Sequence, residues 1–239
     1  MSVLAFIPAR GGSKGIPRKN LYRLLGKPLI HYTIEVAKKS KEISDIIFSS
    51  EDEEIIHTAE NSDIEILYRR PIELAQDDSP TWETVAHGLS WQEKASGESP
   101  EMVILLQPTC PLRTADDIDR AVRQFRERSA SSLMSVHEMA ELPYECVRLT
   151  EKNWEFLEKP IAKVRRRQDY QGQCYYVNGA IYIVTPQFLK EQKSFYKEGE
   201  TELFFMEQDH GVDIDNIYEA KFAELLIRER IKSQNNIKK

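Results

Sequence analysis

Cysteine is scarce in this chain: Cys110, Cys146 and Cys174 are the only three in 239 residues. An odd number at wide spacing excludes a disulfide framework and a zinc-ligand pattern, and points to reduced thiols in a cytosolic protein. Long apolar runs are missing too, and no stretch approaches the roughly 20 residues that a membrane helix requires. No basic region precedes the first apolar run, so a secretory signal is not expected. Positive charge is in deficit, with 33 Lys and Arg against 39 Asp and Glu and a net charge of −6. That balance argues against nucleic acid as a partner, which needs a broad basic footprint. The histidines (His31, His57, His87, His137 and His210) show neither metal-ligand nor nucleophile spacing. No internal repeat is visible. What remains is 41% hydrophobic and 30% charged residues, the composition of an ordinary globular domain.

Against that acidic background one segment stands out. The apolar run Val3, Leu4, Ala5, Phe6 and Ile7 reads as a buried strand, and residues 8–21 follow it as a glycine-rich loop. Gly11, Gly12 and Gly15 let the backbone approach a ligand, and Arg10, Lys14, Arg18 and Lys19 supply positive charge. The end of a first strand is where an open α/β sheet places a phosphate ligand. Lys14 precedes Gly15 and no Gly-Lys-Ser/Thr follows, which excludes a Walker A loop. The glycine spacing also departs from the dinucleotide fingerprint. A small anionic ligand suits the loop better than a polymer.

Strand and helix patterns alternate along the chain. Strands are expected at 3–8, 45–50, 64–68, 102–106, 176–184 and 203–206. Helices are expected at 28–41, 51–61, 81–94, 114–127, 186–192 and 216–230, with Thr81 as a candidate N-cap and residues 114–117 suited to capping. The rhythm predicts an α/β fold, a three-layer, doubly wound, mostly parallel sheet. Residues 140–176 break it, being irregular and charged, and read as an inserted arm, in the form of a hairpin. The expected organisation is one domain over 1–232, the arm at 140–176 and a polar tail at 233–239.

Three further segments carry chemistry. Asp213 and Asp215 flank Ile214, and alternation along an extended chain puts both carboxylates on one face. Such a pair caps the following helix or binds Mg²⁺ with room left for phosphate and water; beside a phosphate loop the metal is favoured. Residues 106–113, with Pro108 and Pro111, form a rigid turn at the end of the central strand, where Gln107 can donate and accept hydrogen bonds. Arg165, Arg166 and Arg167 form a cationic run on the arm, either a solvated face or a reach toward an acidic substrate.

Taken together the chain resembles the acylneuraminate cytidylyltransferase family. The likeness rests on residues 7–21, on Arg70 and Pro71 with Asp77 beyond them, on 106–113, on 166–168, on 178–182, and on Asp213 and Asp215. It implies a Rossmann-like nucleotidyltransferase fold and transfer of CMP from CTP to the anomeric hydroxyl of an N-acylneuraminate, with loss of pyrophosphate. By the same resemblance Arg10 and Lys19 would hold the triphosphate, with Gly11 beside them. Asn20, Arg70 and Thr81 would contact the cytidine part, and Asp213 and Asp215 would bind Mg²⁺. Gln107 and Tyr182 would face the sugar, and Phe195 and Tyr196 would cover its acyl group. The arm would make a homodimer, with Arg167 reaching the neighbouring active site.

This chain departs from the family at Leu142, Pro143, Tyr144 and Glu145, where some sialate-using relatives carry a lysine. The departure leaves legionaminic, pseudaminic or another nonulosonic acid as alternative sugars. Cys110 stands where a serine is common, and Thr81 keeps the hydroxyl of the usual serine. The alternative from another class is a nucleotide-binding regulatory protein without catalysis, against which the intact Arg10, Lys19, Asp213 and Asp215 speak.

Overall fold

The computed structural model describes residues 2–159 and 174–237. In chain order the regular elements begin with β1 (Val3–Pro8), β2 (Arg23–Leu24), β3 (Lys27–Pro28), α1 (Leu29–Lys39), β4 (Asp45–Ser49) and α2 (Glu53–Glu60). Then come α3 (Thr81–Ser96), β5 (Met102–Leu105), α4 (Ala115–Glu127), β6 (Ser132–Glu138), β7 (Val147–Leu149) and β8 (Trp154–Phe156). The last are β9 (Tyr175–Val184), α5 (Pro186–Gln192), β10 (Glu202–Phe205) and α6 (Ile217–Ile237). Among these described residues no helix is long and apolar enough to cross a membrane.

Six strands form one sheet in the order β10-β6-β9-β5-β1-β4. The pairs β1–β4, β1–β5 and β6–β10 are parallel, while β9 runs antiparallel to both β5 and β6. The reversal follows from the connection. The chain leaves the end of β6 into the arm and returns opposite it, with Glu138 facing Tyr175 and His137 facing Tyr176, so no crossover intervenes. Strand periodicity builds the three layers: Val3, Ala5 and Ile7 pack with α1, α2 and α4, whereas Leu4 and Phe6 pack with α3 and α5. The expected three-layer, mostly parallel sheet is therefore present.

Two expectations need correction. Residues 64–68 alternate as a strand should, with Tyr68 buried and Leu67 exposed, but no ladder forms. The segment runs beside edge strand β4 and donates one backbone bond, Arg70 N–H to the Ser50 carbonyl at 3.0 Å. Thr81 is not an N-cap: Pro80 holds that position, and Thr81 is the first helical residue with its hydroxyl free of a capping role. The small β2–β3 hairpin was not anticipated. Its turn places Leu25 and Gly26 at φ of 50° and 83°, a twist usually marked by Asn-Gly or Asp-Gly, and leucine gives no such signal. Glu224 on α6 accepts the Leu25 N–H at 3.2 Å and holds the turn.

The described part of the arm contains the antiparallel β7–β8 hairpin, which leaves Val147, Leu149 and Trp154 exposed. The Arg165–167 run lies outside the described residues. At the opposite end of the sequence logic, α4 opens with the anticipated capping box, Thr114 and Asp117 each accepting from the other's backbone.

Candidate active site

The carboxyl ends of β1 and β5 face a cleft of about 490 Å³. The glycine loop forms one wall, and three of its cations, Arg10, Lys14 and Lys19, line the cleft. Arg18 turns away and makes a two-pronged pair with Asp52, both bonds 2.9 Å, and a further contact with Glu54 at 2.8 Å. Gly11 contributes through close packing: its N–H donates to Glu51 at 2.7 Å, and a Cβ there would come within 2.7 Å of the Asp52 carboxylate. Asn20 is buried and donates to the Arg10 carbonyl at 2.9 Å, which fixes the start of the loop.

The facing wall is the segment around Asp213 and Asp215. Ile214 is pinned by its N–H to the Thr109 carbonyl at 2.8 Å and is buried with Ile16, Leu24, Leu29 and Leu112. This apolar cluster draws the two ends of the chain together. Lys19 then bridges the walls, its ammonium 2.9 Å from the Ile214 carbonyl and 2.7 Å from Asp215 Oδ1. The Asp215 N–H is taken by Glu219 at 2.6 Å. Gly15 packs so tightly here that a Cβ would overlap the Asp215 carbonyl oxygen. The obstacle is backbone, so it cannot rotate aside. Gly15→Ala should therefore lower kcat/KM at least tenfold, about 1.4 kcal/mol in the transition state, by prying the loop from Asp215. Steady-state kinetics beside a thermal melt checks this; wild-type kinetics would mean that the close approach is dispensable.

Burial pushes the Asp213 carboxyl above the usual range, and the neighbouring negative charge of Asp215 adds to the effect. A divalent cation would relieve both, so the pair fits a hard metal with oxygen ligands. Among the described residues no cluster of three or more His, Cys, Asp or Glu side chains could hold a metal, so substrate and water oxygens would have to complete the coordination. The Cys110 thiol lies 3.8 Å from Asp213 Oδ1 and is fully buried. Burial pushes its pKa up, which keeps it a neutral donor to the carboxylate.

The other anticipated residues divide into two groups. Arg70, Thr81 and Gln107 line the same cleft. Arg70 is buried, its guanidinium held by the Ser49 hydroxyl at 3.0 Å and carbonyl at 2.8 Å. Burial lowers its pKa, with Glu51 opposing. Tyr182, Phe195, Tyr196 and Gly11 are not on the cleft lining. Tyr182 and Phe195 pack with tilted rings, centroids 5.6 Å apart, in the layer beneath α3 and α5, and burial pushes the Tyr182 phenol up to about 12. Phe195 is buried, whereas Tyr196 is exposed. Arg167 falls outside the described residues. A second groove of about 880 Å³ meets the cleft at Asp213 and Asp215 and is lined by Glu141, Glu207, Asp209, Glu219, His137 and Tyr176, among others.

Sequence reasoning gave no role to Gln76, Asp77, Thr84 or Thr109, all of which line the cleft. Asp77 was visible only as an acidic neighbour of the Arg70-Pro71 pair. Thr109 acts both through its backbone carbonyl, which accepts from Ile214, and through its side chain, which hydrogen-bonds Asp213.

Comparison with known proteins agrees with this geometry. The family described as Cytidylyltransferase matches residues 4–233. A CMP-N,N'-diacetyllegionaminic acid synthase of Legionella pneumophila is 32% identical, over 95% of this chain and 97% of that protein. An N-acylneuraminate cytidylyltransferase of Streptococcus agalactiae is 31% identical over 90% of this chain, which spans 51% of that longer protein. Among solved structures, a CMP:2-keto-3-deoxy-manno-octonic acid synthetase complexed with CTP superposes with a TM-score of 0.71, covering 96% of this chain and all of that one. At 14% identity that likeness speaks for the fold alone.

Proposed function

The chain belongs to the cytidylyltransferase family, and we propose that it transfers CMP from CTP to a nine-carbon α-keto acid sugar. The observation that carries the reading is the meeting, across one cleft, of Arg10, Lys14 and Lys19 with Asp213 and Asp215. In the reaction the anomeric hydroxyl of the sugar attacks the α-phosphorus. A C–O–P bond forms, the bond to the β-phosphate breaks, and the hydroxyl proton is lost. The loop cations hold the departing pyrophosphate and stabilise the charge that grows on it. Asp213 and Asp215 would hold Mg²⁺, which when bound neutralises phosphate charge and acidifies the hydroxyl. Arg70, Asn20 and Thr81 line the same cleft and would contact the cytidine part.

The sugar on which this reading settles is an N-acylneuraminate. A di-N-acylated relative is the second reading. It is favoured by the likeness to the Legionella protein over nearly its whole length. The exposed Val147, Leu149, Trp154 and Phe156 of the hairpin support a homodimer through the arm. The unpaired state of Cys110, Cys146 and Cys174 supports a cytosolic enzyme.

Pyrophosphate release with CTP, Mg²⁺ and a panel of N-acetylneuraminate, N,N'-diacetyllegionaminate and pseudaminate tests the proposal. We expect turnover on at least one, with kcat/KM separating them by tenfold or more, about 1.4 kcal/mol of differential binding. Binding of CTP without turnover on any sugar would instead favour the noncatalytic nucleotide-binding protein.

A further inference from the structure

Two of the three loop cations that line the cleft close on a single carboxylate. Asp77 Oδ1 lies 3.0 Å from Arg10 Nη2, and Asp77 Oδ2 lies 3.3 Å from Lys14 Nζ. Arg10 Nη1 donates in addition to the Gln76 carbonyl at 2.9 Å. Asp77 sits between the short turn Ile72–Ala75 and α3, with its side chain 52% exposed. Leu74, Gln76 and Ser79 of the same segment line the cleft. Lys19 is held differently, by Asp215 and Ile214 on the opposite wall. The hydrogens that Arg10 and Lys14 direct at Asp77 are those a bound polyphosphate would use, and one N–H cannot serve both acceptors fully.

We propose that Asp77 is a release residue, which yields Arg10 and Lys14 to the β- and γ-phosphates as CTP enters and reclaims them as pyrophosphate leaves. The inference rests on the transfer reaction proposed above and adds to it a determinant of product departure. A carboxylate competing for both cations weakens the hold on CTP and on pyrophosphate alike. The gain is turnover, because a cradle that stabilises the departing pyrophosphate without opposition would also retain it. A ligand that carries only an α-phosphate makes no demand on these cations and is indifferent to Asp77. Exposed ion pairs are individually weak, so the two together correspond to about three- to tenfold in affinity.

Calorimetric titration of inorganic pyrophosphate, of CTP and of CMP, each separately, into wild type, Asp77→Asn and Asp77→Glu tests this without any sugar present. Asp77→Asn should bind pyrophosphate about three- to tenfold tighter and leave CMP unchanged; in a separate turnover assay with sugar present it should show stronger inhibition by pyrophosphate, with KM for CTP and kcat both reduced. Asp77→Glu should restore wild-type behaviour. Asp77→Ser serves as the neutral variant should the asparagine protein misfold. Unchanged or weaker pyrophosphate binding in the neutral variants would overturn the proposal, since Asp77 would then be a brace for the cations. An equal tightening of CMP would overturn it as well, showing a general field effect. Failure of wild type to bind either pyrophosphate or CTP would remove the triphosphate cradle itself, and the transfer reading with it.

Discussion

Replacing Asp215 by asparagine should lower kcat by about 10²- to 10³-fold, the scale on which losing one transition-state charge contact acts, while CTP affinity changes severalfold at most. Asparagine keeps the shape and one oxygen but loses the charge. Lys19, now 2.7 Å from Asp215 Oδ1, would face a neutral amide and be freer to meet phosphate. Ground-state binding of CTP therefore holds or tightens. The metal site fares differently, because one of its two carboxylates has gone, and the departing pyrophosphate carries more charge in the transition state than it does within bound CTP. The segment itself stays in place, since Ile214 remains bonded to Thr109 and Glu219 still accepts the Asp215 N–H. Single-turnover kinetics with a saturating sugar, beside a CTP binding titration, separates the two quantities. Wild-type turnover in this variant would remove the metal assignment. A parallel loss of turnover and CTP affinity would recast Asp215 as a simple anchor for Lys19.

Much of this site was legible because its chemistry is local. Glycines and cations in residues 10–19 announce an anion cradle, and the spacing of Asp213 and Asp215 announces a paired carboxylate. What brings them together was not legible. Ile16 and Ile214 are ordinary aliphatic residues in the sequence, and only the fold shows them in one apolar cluster with Leu24, Leu29 and Leu112. The same limit explains the misplaced third strand. Residues 64–68 have the alternation of a strand, but a ladder requires a partner in register, and alternation alone does not supply one. Strand polarity was hidden for a similar reason. Nothing in the composition of β9 tells that it runs against its neighbours, because the arm's return path sets its direction. The aromatic pair Phe195 and Tyr196 shows how adjacent residues diverge: one is buried against Tyr182 while the other is exposed.

Asp117→Asn should destabilise the protein by about 3 kcal/mol at neutral pH, as breaking a buried, hydrogen-bonded pair does. Asp117 is buried at the first turn of α4 and accepts from Thr114 N–H at 2.9 Å and from the Thr114 hydroxyl at 2.6 Å. His210 Nδ1 lies 2.7 Å from the same carboxylate, and Arg120 donates to its other oxygen at 2.7 Å. Burial opposes ionisation, but the bonds from His210 and Thr114 prevail and hold the carboxyl well below the usual carboxylate range. The folded pKa thus lies beneath the unfolded value of about 3.9. The stabilisation is then fully present above that value and is lost as pH falls through it toward the folded pKa. Urea titrations should accordingly show a gap between wild type and Asp117→Asn that is widest above about pH 5 and narrows as the solution is made more acid. A gap independent of pH would mean that packing, and not the charge, is what the substitution removes. The contact also ties α4 to the turn that feeds Gly211, whose neighbours Asn178 and His137 leave no space for a Cβ. Because Arg230 separately anchors that turn through Asp209 at 3.0 Å, the segment leading to Asp213 retains a second hold. Turnover in the folded Asp117→Asn protein should therefore fall far less than in Asp215→Asn, which separates a residue that supports the site from one that acts within it.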